Sequence, residues 1–162
     1  MQFLKEKFVD KDFEDNVILQ DFIIPIKNVK GALELSRDIV DVWPIWMVPC
    51  KLWHDWQPES LKPRAGKDVM YLDFGVYGLT FLPSFQGRDK TLKMFEKWTL
   101  ENEGYQALYA ETLMSYAEFC EMFPRGLYDS VRNRLPLCKE AFPETYEKVS
   151  REGRNAFNKK HK

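Results

Sequence analysis

The 162-residue chain is 44% hydrophobic and 15% aromatic, enough for one domain whose core needs neither disulfide nor metal. Its 24 Lys and Arg nearly cancel its 25 Asp and Glu, and a net charge of −1 leaves no general pull toward nucleic acid or anionic lipid. Cys50, Cys120 and Cys138 are odd in number and widely spaced, so they read as reduced structural thiols. Neither His54 nor His161 stands near one at zinc-ligand spacing, and no metal is expected.

Residues 1–15 place Phe3, Leu4 and Phe8 among charges, a short amphipathic segment without the apolar stretch of a signal peptide. No window approaches about 18 apolar residues, so no membrane span is expected and the chain alone reads as soluble and cytoplasmic. The run Val17 to Ile26 is apolar and β-rich, a first strand closed by Pro25. Asn28 suits a helix cap, and Val29, Ala32, Leu33, Ser36, Ile39 and Val40 follow helical spacing. Pro44 to Leu52 predicts a second strand, and the loop 53–67 follows it. Val69 to Tyr77 predicts a third strand. Asp89 suits the cap of a second helix carrying Leu92, Phe95 and Trp98, with Gly104 as its C-terminal glycine. Tyr105 to Glu111 predicts a fourth strand.

This order, β-α-β-β-α-β, is the ferredoxin-like split βαβ, an α+β fold with an antiparallel sheet and two helices on one face. Helices follow over 113–150: Ser115-Tyr-Ala-Glu118 is a capping box, Leu127, Val131 and Leu135 share a helical face, and Pro143 opens a last helix. The basic tail 151–162 is expected to fray. The chain thus divides into an N-terminal segment (1–15), a sheet unit (16–112), a helical extension (113–150) and a tail (151–162).

Strand alternation sorts the side chains further. The face away from the helices gathers Asp21, Tyr71, Asp73, Tyr77, Tyr109 and Glu111. Acids among apolar strands are costly unless paired or hydrated, so this face is either a solvated surface or a ligand wall. Trp43, Trp46, Trp53 and Trp56 cluster nearby, as packing residues or an apolar contact. No P-loop or Gly-x-Gly-x-x-Gly occurs. An RNA-recognition module shares the element order, but Asp73 stands where its third strand needs a cation. A ligand-binding or adaptor module survives as an alternative to an enzyme.

The sequence blocks narrow the choice. Val17-Ile-Leu-Gln-Asp-Phe-Ile-Ile-Pro-Ile-Lys27, Val42-Trp-Pro-Ile-Trp-Met-Val-Pro49, Tyr71-Leu-Asp-Phe-Gly-Val-Tyr-Gly78, Gly104-Tyr-Gln-Ala-Leu-Tyr-Ala110, Glu118-Phe-Cys-Glu-Met-Phe123 and Ala141-Phe-Pro-Glu-Thr-Tyr-Glu-Lys148 appear in order over roughly 16–150. Together they resemble the C-terminal part of Δ24-sterol reductases of the FAD-linked oxidase superfamily. The resemblance implies reduction of the sterol C24–C25 double bond with FAD and NADPH, at the endoplasmic reticulum membrane. It also implies a cap over a flavin domain that these residues do not include, so the chain alone is expected to be inactive. Glu111 departs from the family pattern, which has aspartate there. Such a cap would supply a wall and an acid. Tyr109 is the first candidate acid, then Asp21 and Asp73; Trp46, Tyr71, Tyr77 and Glu111 are candidates to face the sterol.

Overall fold

The computed structural model describes residues 15–52, 63–66 and 68–160, with side chains as far as residue 155. The N-terminal segment up to residue 14, Trp53, Trp56, His54, His161 and most of the loop after the second strand lie outside them.

Strand β1 (Val17–Pro25) leads through a 3₁₀ turn into helix α1 (Val29–Ile39); β2 (Trp46–Cys50) and β3 (Tyr71–Leu79) follow, then α2 (Arg88–Glu101) and β4 (Tyr105–Gln106). The strands lie in the order β2-β3-β1-β4, antiparallel throughout, with Asp21 opposite Gly75 and Ile23 opposite Asp73. The α+β fold expected from the pattern is therefore present. Ile18, Phe22 and Ile24 of β1 and Leu72, Phe74 and Val76 of β3 point under the helices and pack with Ala32 of α1 and Leu92 and Phe95 of α2. Phe22 stacks on Phe95 with ring centroids 5.1 Å apart. Each such side chain, fully buried, is worth roughly 1.5–3 kcal/mol.

The C-terminal helices are α3 (Tyr116–Met122), α4 (Gly126–Arg134), α5 (Cys138–Ala141), α6 (Thr145–Val149) and α7 (Arg151–Lys160). The capping box at Ser115 forms as read, with Ser115 and Glu118 each satisfying the other's backbone N–H. Met114, Phe119, Met122, Tyr146 and Val149 make a second core that borrows Leu100 from α2 and Tyr105 from β4. Thr112 stitches the two cores together. Its N–H donates to Val149 O at 3.0 Å, and it bridges to Ser150.

Four local expectations change. β4 stops at Gln106, because the chain turns away held by a buried amide pair. The Gln20 side-chain amide donates to Ala107 O at 3.0 Å, and Gln106 donates to Gln20 Oε1 at 3.0 Å. Asn28 does not cap α1 with its side chain; its amide donates to Asn102 O at the far end of α2. Gly87, not Asp89, precedes α2, and Asp89 in the first turn pairs with Arg151. The cap of α6 is Glu144 rather than a proline start, since its carboxylate accepts from the N–H groups of Tyr146 and Glu147. Residues 151–160 of the tail form α7. Arg151 and Arg154 grip Glu111, and Arg151 also grips Asp89.

Gly104 also has a different role from the expected one. The left-handed residue ending α2 is Glu103 (φ 60°), and Gly104 is needed for close approach. A Cβ there would meet Thr99 Cγ2 at 2.7 Å and the Ile23 carbonyl at 2.9 Å. Gly104→Ala is expected to destabilise the chain by about 1–3 kcal/mol, read as a lower urea midpoint at unchanged m-value.

Candidate functional site on the open sheet face

Residues directly opposite in an antiparallel pair share a face. The side of the sheet away from α1 and α2 therefore carries Leu19, Asp21 and Ile23 of β1 and Tyr71, Asp73, Gly75 and Tyr77 of β3. It also carries Trp46, Val48 and Cys50 of β2 and Tyr105 of β4. Leu19, Trp46, Val48 and Tyr77 are exposed, so the middle of the face is an apolar and aromatic surface.

Asp21 sits at its centre and is 8% exposed. A carboxylate there must accept hydrogen bonds. The Tyr77 hydroxyl donates to Asp21 Oδ1. Its ring can reach only because residue 75 has no side chain: a Cβ on Gly75 would lie 2.6 Å from Tyr77 Cε2 and 2.8 Å from Cζ, and would also strike Asp21. Tyr109, 63% exposed, comes to the same carboxylate from the loop after β4. Burial raises its pKa, and so do the hydrogen bond to Asp21, the charge of Asp21 and the charge of Asp73. The phenol therefore stays an O–H donor.

Asp73 lies one register step away. Its Oδ1 is buried without a donor among the described residues. Burial and the charge of Asp21 raise its pKa, against a hydrogen bond from the Trp46 side chain. Burial likewise raises the neighbouring Cys50 thiol, with the Asp73 charge adding to it. Cys50, Cys120 and Cys138 are all free thiols, and no metal-binding cluster of His, Cys, Asp or Glu occurs among the described residues.

The structure thus brings Asp21, Asp73, Tyr77, Tyr109 and Trp46 together and separates two others. Tyr71 belongs to the face but is fully buried under residues 63–66. Its hydroxyl accepts from Ala65 N–H at 2.9 Å and donates to Glu103 O at 3.3 Å, and burial pushes it up to about 12. Arg64 secures this cover by donating to the Gly104 and Leu100 carbonyls, each at 2.9 Å. Glu111 has left the sheet, since β4 ends before it. Burial would raise its pKa, but Arg151, Arg154 and Arg88 bring it below its ordinary value. It is an ion-pair anchor. Strand alternation puts Gly75 on this same face, where a glycine inside a strand marks a close approach.

No family model matches the chain, and no solved structure matches it. Curated relatives do. The human Delta(24)-sterol reductase is 34% identical over 145 residues, covering 90% of this chain. The Delta(24)-sterol reductase homolog of Caenorhabditis elegans is 33% identical over 89% of the chain, and the Arabidopsis thaliana Delta(24)-sterol reductase is 30% identical over 75%. The chain is homologous to one region of the Delta(24)-sterol reductases. It spans 27%, 27% and 24% of these three relatives. Among the described residues, no helix is long and apolar enough to cross a membrane.

The packing of Tyr77 over Gly75 is directly testable. Gly75→Ala should lower stability by about 1–3 kcal/mol, and Tyr77→Ala in the same chain should recover part of that loss. Strictly additive effects in a double-mutant cycle would show that the ring does not lie over Gly75.

Proposed function

We propose that this chain is the substrate-side region of a Δ24-sterol reductase, which reduces the C24–C25 double bond of a sterol at the endoplasmic reticulum. The supporting observation is the 34% identity over 145 residues to the human enzyme. In this reading residues 16–112 form the sterol-facing unit, 113–150 a helical extension and 151–162 a basic tail.

The open face suits half of that task. Leu19, Trp46, Val48 and the Tyr77 ring offer an apolar wall for a hydrocarbon chain. An isolated trisubstituted alkene accepts a proton at its less substituted carbon, leaving a tertiary cation, so the wall needs a positioned acid. Tyr109, held above its ordinary pKa, gives a good hydrogen bond and surrenders a whole proton poorly. Asp73, also raised by burial and by the charge of Asp21, is as a carboxylic acid the stronger acid of the two. Asp73 is therefore the proposed proton source, with Asp21 and Tyr109 arranging the hydrogen bonds beside it.

FAD and NADPH, which the family implies, do not fit the described residues. The Asp21 carboxylate would repel their phosphates at the open face, and no phosphate-binding glycine turn occurs among the described residues. The redox step is assigned to none of these side chains.

A human enzyme in which this chain replaces the 145 matched residues should keep sterol reduction. In that chimera Asp73→Asn should lower kcat about 100-fold or more, whereas Tyr109→Phe should cost about tenfold, the worth of one hydrogen bond. Equal turnover of Asp73→Asn and its parent would remove Asp73 from the reaction. The purified 162-residue chain should show no flavin absorbance; a yellow, stoichiometric preparation would contradict the assignment.

A further inference from the structure

The open face is exposed at one end and sealed at the other. Leu19 and Tyr77, opposite each other in the register, are 56% and 40% exposed. Trp46, beside Gly75, is exposed as well, and Val48, beside Asp73, less so. At the far end Tyr71 and its partner Pro25 are both buried. The wall therefore has an open end and a closed end, and Asp73 stands one step short of the closed one.

The closure is firmly held. Ala65 N–H donates to the Tyr71 hydroxyl at 2.9 Å, and Arg64 N–H donates to the Tyr105 hydroxyl at 2.8 Å. The Arg64 guanidinium donates to the Leu100 and Gly104 carbonyls at the end of α2. Carbonyls at a helix C-terminus lack partners within the helix, and a cation there both satisfies them and is attracted by the helix dipole. Displacing residues 63–66 would cost all four of these hydrogen bonds. The Tyr105 ring lies 6.1 Å from that of Tyr71 and 5.9 Å from that of Phe123, and it closes the β4 side of the same corner.

Strand geometry sets the space that remains. Side chains on one face recur about 6.8 Å apart along a strand, and carbons in contact stand about 3.5–4.0 Å apart, so about 3 Å of a ligand chain fits between the level of Asp73 and Tyr71. An alkene that ends in paired methyl groups needs about that length beyond the carbon that takes the proton. We propose that residues 63–66 and Tyr71 are the end stop of the sterol wall: the sterol side chain enters from the Leu19 and Tyr77 end, its terminal methyls rest against the stop, and this depth sets the double bond beside Asp73. The stop rests on the reading of the open face as the sterol-facing surface, and it narrows the substrate class. The site takes alkenes carried at the tip of a chain and refuses ends that extend further. Tyr71 is the specificity-determining surface, and Arg64 is a positioning residue that holds the cover over it.

The test is isotope-filtered NOE spectroscopy on the full 162-residue chain. The probe is a 3β-hydroxysterol whose side chain ends in an isopropylidene group, carbon-13-labelled at its terminal methyls and at a ring methyl and delivered in cyclodextrin. The terminal methyls are expected to contact Cys50 or residues 63–66, and the ring methyl to contact Leu19 or Tyr77. The reverse assignment overturns the end stop and leaves the sterol wall standing. Contacts with no residue of the face overturn the sterol reading, and the stop with it. Binding of a second sterol supplies the size test. Lengthening each terminal methyl to an ethyl should weaken binding about tenfold or more, as surplus methylenes do against a fixed wall. Equal affinities of the two sterols for the wild type overturn the stop. Arg64→Ala should recover most of the lost affinity for the longer sterol, and an unchanged ratio in the folded variant overturns the role of Arg64. Should Arg64→Ala not fold, the methyl contacts and the wild-type affinity ratio decide.

Discussion

The carboxylate of Asp21, in the middle of a sheet and nine-tenths removed from water, constrains everything on the open face. Burying an unpaired charge is expensive, so the surrounding residues are arranged to satisfy it. Tyr77 supplies a hydroxyl from two positions along β3, Gly75 leaves the space for its ring, and Tyr109 arrives from a loop. The negative charge then acts on its neighbours, keeping Tyr109 a neutral phenol and favouring the protonated form of Asp73. A single acid thus organises both the packing and the proton chemistry of the face.

A second polar arrangement governs how the sheet ends. Gln20 and Gln106 sit on the helix side of β1 and β4, where apolar residues would ordinarily be found. Their amides take over from the strand ladder after Gln106. Buried polar groups of this kind specify one geometry because a wrong one leaves a donor or acceptor unpaired. Here they release the chain from the sheet at Ala107, carry it past Glu96 and deliver it to the C-terminal helices at Thr112. The same early exit moves Tyr109 into a loop that reaches Asp21 and moves Glu111 into the arginines of the tail helix.

Much of this was legible before any coordinates. The β-α-β-β-α-β order followed from apolar periodicity and from glycine and proline punctuation, and the capping box at Ser115 formed as read. Alternation placed Asp21, Asp73 and Tyr77 on one face correctly. It failed for Glu111 because a strand signal says nothing of where pairing stops. It said nothing of the cover over Tyr71, which depends on Arg64 reaching the carbonyls that end α2, some 36 to 40 residues away. Nor does the sequence alone show that the arginines at the start of the basic tail pair with Asp89 and Glu111, some 40 to 62 residues earlier.

The sequence by itself determined the layer architecture, the faces of the central strands and the kinship to the sterol reductases, because these depend on local periodicity and on residue identity in order. The tertiary structure alone decided which acids share a neighbourhood, which tyrosines stay exposed and where the fourth strand ends. Those outcomes turn on hydrogen bonds between groups distant in the chain, such as Gln20 with Ala107 and Tyr77 with Asp21. Their partners are chosen by burial, which no stretch of sequence contains on its own.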